Sequence, residues 1–227
     1  MSTVYDKEYF ESGTKSNYQN YSHEVCYKDQ EKLAKALIEI VRPSKILDIG
    51  YAKGFLVEGF QNFGVDAYGV DISEYAISCS HPNIKEKVFV LDAEKEELPF
   101  KNDYFDLVVM TEVIEHINNF DLIIKEIKRV LKKEGFIYLT APTKKLFQKE
   151  KDITHINVQS RKFWIKTFGF YGFIPDKKMF DNFLEKRSGY YSNKLIKLGW
   201  IGNFILKKMT FLRSSISIRL FFKNKDR

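Results

Sequence analysis

Cysteine is almost absent. The two present, Cys26 and Cys79, cannot build a disulfide framework, and no CxxC pair exists to hold zinc. No apolar run approaches the ~20 residues that a membrane-spanning helix needs; stretches such as Leu198–Leu206 fall far short. There is no internal repeat and no low-complexity linker. The first ten residues, MSTVYDKEYF, carry acids and aromatics where a secretory leader needs an apolar segment, so no leader is expected. These absences point to a soluble cytoplasmic protein with reduced thiols. What remains is an ordinary globular balance, 44% hydrophobic and 30% charged, which argues against disorder and against a fibrous chain. A length of 227 residues suits one large domain with a real core.

The net charge of +7 is unevenly spread. Residues 177–227 hold 13 Lys/Arg against 3 Asp/Glu, so the rest of the chain is slightly acidic. A nucleic-acid reading of the basic total is therefore weak, and nucleic acid is not expected as the partner. The basic end leaves peripheral membrane contact open as an expectation.

The chain alternates between short apolar runs and helical patterns. Residues 1–27 read as an irregular arm rich in Tyr, Ser and Asn. Lys28–Val41 reads as a helix that Arg42-Pro43 stops. Strands are expected at Lys45–Ile49, Ala67–Val70, Lys87–Leu91, Phe105–Met110 and Phe136–Ala141. Helices are expected over Phe55–Phe63, from Ser73, over Asp121–Lys133, and from a cap at Ser160 to Phe168. Ser215–Phe222 alternates apolar residues with Ser217 and Arg219, the pattern of a half-exposed strand. Alternating strands and helices with uninterrupted apolar strands predict a mostly parallel sheet covered on both faces.

In such sheets ligands bind at the carboxyl ends of the strands. The first strand ends at Asp48 and runs into Gly50 and Gly54, where the backbone can approach a ligand closely. An acid there suits a cationic or hydrogen-bond-donating group rather than a bare phosphate. The second strand ends at Asp71, about 20 residues after the glycine turn, a spacing that suits ribose hydroxyls. The third ends Leu91-Asp92-Ala93, where a carboxylate can accept from an exocyclic amine. The fourth runs into Thr111, Glu112, Val113, Ile114, Glu115 and His116. Acids at three successive strand ends favour an adenosine site. The glycines are spaced G-x-x-x-G, so neither the dinucleotide fingerprint nor a Walker loop is present.

These segments resemble the class I S-adenosylmethionine-dependent methyltransferases of the small-molecule type. ILDIGYAKG is similar to their glycine-rich first motif, with Ala52 in place of the middle glycine; GVDIS, LDAEKEELPF, YFDLVVMTEVIEHI and VLKKEGFIYLTAP follow in order. The resemblance covers about residues 43–175. It implies a Rossmann-like α/β sheet of seven strands in the order 3-2-1-4-5-7-6 with strand seven antiparallel, and S-adenosylmethionine as cofactor. It also implies cofactor contacts from Asp48, Gly50, Tyr51, Gly54, Asp71, Ile72, Asp92, Ala93, Thr111 and Glu112.

The transfer itself is an in-line displacement, in which the protein must align the nucleophile and remove its proton. His116 and His155 stand where a base is needed and are the candidate catalytic residues. Glu112, Glu115, His116 and His155 also form a mixed carboxylate–imidazole set suited to a divalent cation. The pattern is similar to the metal sets of small-RNA 2′-O-methyltransferases and ubiquinone-pathway O-methyltransferases, although no metal is assigned. Residues 1–42 are expected to cover the cofactor site, with Tyr5, Tyr9, Phe10, Tyr18 and Tyr21 near the sulfonium. A basic, aromatic insertion at 183–213 is expected near the acceptor; Phe180, Phe183, Tyr190, Tyr191 and Trp200 read either as an acceptor wall, with Lys186, Arg187, Lys194 and Lys197 beside it, or as core aromatics beneath a solvated lysine-rich face. The expected reaction is O-methylation of a small-molecule, glycan-related or lipid-linked acceptor within a single domain, 1–227. A metal-assisted enzyme acting on an RNA terminus and a catalytically silent, cofactor-binding partner subunit are the alternatives.

Overall fold

A computed structural model describes residues 4–16, 18, 20–143, 152–191 and 217–225. Its sheet has seven strands: β1 (Lys45–Ile49), β2 (Asp66–Asp71), β3 (Val88–Val90), β4 (Phe105–Thr111), β5 (Leu131–Pro142), β6 (Phe173–Pro175) and β7 (Ser217–Asn224). They lie in the order β3-β2-β1-β4-β5-β7-β6. The first five in that order are parallel, and β7 runs antiparallel to β5 and β6. The expected Rossmann-like α/β topology is thus observed.

The helices are α1 (Lys7–Glu11), α2 (His23–Val41), α3 (Phe55–Asn62), α4 (Glu74–Ser78), α5 (Asp121–Val130), α6 (Arg161–Phe170) and α7 (Lys177–Tyr191). Strand alternation divides the core between the two faces. Leu47 and Ile49 of β1 pack with Ile123 and Ile127 of α5 and Trp164 and Phe168 of α6. Ile46 points the other way, against Leu33 and Leu37 of α2 and Val57 and Phe60 of α3. Burying each such side chain is worth about 1.5–3 kcal/mol, so both faces must be covered for the sheet to persist. Among the described residues no helix is long and apolar enough to cross a membrane.

Three expectations change. Helix α2 starts at His23, with Ser22 at its cap, because His23 and Tyr27 stack on each other at 4.4 Å and tie this first turn to α3 through Glu58 and Asn62. Helix α5 stops at Val130, not Lys133: Leu131 turns extended and pairs with Phe105, so β5 begins five residues early and carries a register irregularity. Strand β7 is buried on both faces rather than half-exposed, since Phe221 packs on Tyr138 and Phe183 while Ile218, Leu220 and Phe222 face the opposite core.

The region expected to form an acceptor wall also differs where it is described. Phe183 is fully buried in the sheet core, Phe180 packs against that core, and Lys186 pairs with Glu39 of α2 at 3.5 Å. These residues dock α7 on α2. Residues 192–213, with Lys194, Lys197 and Trp200, and the side chains of Arg187, Tyr190 and Tyr191 lie outside the described residues.

Candidate active site

The carboxyl ends of β1, β2, β4 and β5 open into a cavity of about 370 Å³, roofed by the N-terminal arm. The turn after β1 is shaped by what cannot fit. Gly50 has φ +74°, and a Cβ there would lie 2.2 Å from Val113 Cγ2. Only glycine allows this approach between the turn and the segment after β4. Ala52, where the resembled motif has glycine, also adopts left-handed backbone at φ 53°. Its amide donates to Asp71 Oδ2 at 2.8 Å, and Ser73 N donates to Asp71 Oδ1 at 2.8 Å. The two bonds clamp the Asp71 carboxylate between the glycine turn and α4. Burial raises its pKa, against these backbone bonds.

Asp48 is more isolated. It is 2% exposed, and its Oδ1 is buried without a hydrogen-bond partner. Burial and the nearby Asp71 charge push its carboxyl well above the usual carboxylate range. An unsatisfied buried carboxylate facing a cavity is costly unless a donor or cation arrives from the ligand. This fits the amino end of an aminoacyl sulfonium cofactor.

Tyr51, Ile72, Asp92, Ala93, Thr111 and Glu112 also line the cavity. Gly54 does not: it caps α3 with φ 83° beside Ile84. Asp92 is already engaged, with Lys95 Nζ at 2.6 Å and Glu94 N at 3.1 Å, although it still faces the cavity.

The opposite wall carries the histidines. His116 lines the cavity; His155 stands behind it, with ring centroids 4.8 Å apart. Thr154 Oγ1 donates to Asp152 Oδ1 at 2.5 Å and so presents only lone pairs to His116 Nδ1 at 2.8 Å; the Thr154 carbonyl lies 3.2 Å from the same nitrogen. Both neighbours are acceptors, so Nδ1 carries the proton and Nε2 the lone pair. Burial, with His155 nearby, lowers the His116 pKa to about 4, which keeps the ring neutral at physiological pH. Glu115 is fully buried, and its Oε1 lies 3.9 Å from the Nε2 of both His116 and His155. Glu115, His116 and His155 bring their ligand atoms within 4.8 Å of one another, whereas Glu112 is not part of this group.

The arm is latched to both walls. Tyr9 donates to Asp152 Oδ2 at 3.1 Å, and burial raises its pKa. Ser73 Oγ donates to the Tyr5 carbonyl at 2.6 Å, and Glu11 accepts from Lys53 at 3.0 Å and Tyr75 at 2.5 Å. Tyr5, Tyr9, Phe10, Tyr18 and Tyr21 all reach the cavity. Asp152, Thr154, Tyr138, Thr140 and Arg219 were not predicted as site residues. The alternation around Arg219 was the available signal, but it suggested a solvent face.

A seven-stranded sheet in this order, with an acid-lined pocket at its carboxyl edge, is the arrangement that the resemblance to the class I S-adenosylmethionine-dependent methyltransferases implied. Residues 47–139 match the methyltransferase domain family. The ubiquinone biosynthesis O-methyltransferase of Pelagibacter ubique is 33% identical over 105 residues, which are 45% of this chain and 43% of that protein. The chain thus matches less than half the length of this relative. The fold is shared with a putative sarcosine dimethylglycine methyltransferase from Galdieria sulphuraria, at a TM-score of 0.60 and 15% identity over 90% of this chain and 88% of that one. It is also shared with the O-methyltransferase from a trans-AT PKS multienzyme of Brevibacillus brevis, in complex with S-adenosyl-L-homocysteine. There the TM-score is 0.56, with 20% identity over 88% of this chain and 71% of that one.

Proposed function

We propose that this protein transfers a methyl group from S-adenosylmethionine to a hydroxyl of a small molecule held beneath the N-terminal arm. One observation carries the reading: a single cavity has acids from successive strand ends on one wall and a neutral imidazole on the other. The sulfonium supplies the electrophilic methyl. Asp71 would hold the ribose hydroxyls and Asp92 the adenine amine. The Asp48 carboxylate would accept from the amino group. His116 Nε2 would take the acceptor's proton while Nδ1 stays on Thr154. Asp152, through Thr154, holds that tautomer. The arm excludes water and favours a small acceptor over a polymer end.

A second reading is favoured by Glu115. A buried carboxylate that meets two imidazole nitrogens at 3.9 Å has the donor set of a divalent-cation cradle, and Glu115, His116 and His155 would hold the ion. A bound ion would lower the pKa of the acceptor hydroxyl.

Incubation with methyl-labelled cofactor and fractionated cell extract tests both readings. Label is expected in a small-molecule fraction and to survive chelator treatment. Loss of label with chelator would select the cation reading, and label in RNA would replace the small-molecule acceptor. Cofactor binding without label in any fraction would make the protein a silent partner subunit.

A further inference from the structure

The cavity is electrostatically lopsided. Asp48, Asp71, Asp92, Glu94 and Glu112 line it from the β1, β2, β3 and β4 ends, while Arg219 is the only lysine or arginine among its described lining residues. Arg219 lies on β7 in register with Thr140 of β5, and Thr140 is in register with Thr111 of β4. A polar row therefore crosses three strands at the edge of the cavity. Ile218 and Leu220 on either side are 2% and 1% exposed, so Arg219 stands between two buried apolar residues. It forms no ion pair with a described residue. A half-buried guanidinium with no ion pair among the described residues is open to a partner, and its planar fork matches an oxyanion bidentately.

The position of Arg219 separates it from the cofactor's acids. Three strand steps part β7 from β1, about 14 Å at the usual strand spacing. His116 and Thr140 also line the cavity. We propose that Arg219 is the specificity-determining residue of the acceptor site and that the acceptor carries a carboxylate, held by the guanidinium with Thr140 and Thr111 beside it. The nucleophilic hydroxyl then lies toward His116. The inference rests on reading the cavity as the site of methyl transfer.

Calorimetric titration with simple probes, with and without S-adenosylhomocysteine, tests it. Benzoate and 3-phenylpropanoate are compared with their neutral amides. The wild type is expected to bind the better carboxylate at least tenfold more tightly than its amide. Arg219→Met should abolish that preference, Arg219→Lys should retain part of it, and the affinity for S-adenosylhomocysteine should change less than twofold in both. If Arg219→Met does not fold, the Lys variant and a loss of the wild-type preference at high salt carry the test. Equal binding of acid and amide, or no binding of either acid, overturns the proposal. So does a tenfold loss of S-adenosylhomocysteine affinity in the Arg219 variants, which would assign the guanidinium to the cofactor's own carboxylate. Failure of the methyl-transfer reading looks different: wild-type protein would not bind S-adenosylhomocysteine at all.

Discussion

The two walls of the cavity are built in different ways. The wall at β1, β2 and β3 comes from consecutive strand–turn units, and its key acids sit where each strand ends. Backbone amides hold Asp71, and Asp48, whose Oδ1 is buried without a hydrogen-bond partner, lines the cavity. The opposite wall is assembled from chain segments far apart. Tyr9, His116, Asp152 and Thr154 meet there through side chains rather than through one local motif, and Arg219 of β7 lines the same cavity. Under the proposed function the first wall would be the cofactor cradle, and the second would specify the reaction and its acceptor. Binding and turnover should respond separately to substitutions on the two walls.

The largest separation is expected at His116. His116→Ala should lower kcat by about 10²–10⁴-fold, the usual contribution of a general base, and leave S-adenosylhomocysteine affinity within twofold. Steady-state kinetics on the labelled acceptor, set beside a titration, checks this. A matched loss of binding would erase the distinction between the walls.

Asp48 should report on the first wall through pH. Its carboxyl titrates well above the usual range in the free protein, and a bound amino group favours the ionised form. Binding of S-adenosylhomocysteine should therefore release a proton, and affinity should rise as pH increases through the Asp48 titration. Calorimetry in two buffers of different ionisation enthalpy would detect the release. Asp48→Asn should remove it.

The smallest expected effect is at Ala52. Left-handed backbone costs an alanine about 1 kcal/mol relative to glycine. Ala52→Gly should raise the unfolding free energy by roughly that amount with turnover unchanged, as read by urea denaturation.

The same contrast explains what the sequence revealed. Strand ends, glycine spacing and acid placement are local, so the positions of Asp48, Gly50 and Asp71 at the strand ends were legible, while the sheet order came from the family resemblance. Local patterns could not show that Asp152 reaches Tyr9, because 143 residues separate them. Nor could alternation in β7 show that Phe221 is buried and that Arg219 turns into the cavity, because a period of two does not say what covers each face. Phe183 could be read as either an acceptor contact or a core residue for the same reason. It is aromatic and lies near lysines, but α2 and β7 enclose it.

The division of the cavity is tested most directly by titrating S-adenosylhomocysteine into folded Asp71→Ala and His116→Ala proteins side by side. Asp71→Ala should weaken binding about 100-fold, the scale of two lost hydrogen bonds to a charged acceptor, while His116→Ala binds like the wild type. Equal affinities in the two variants, whether both lost or both retained, would contradict the account.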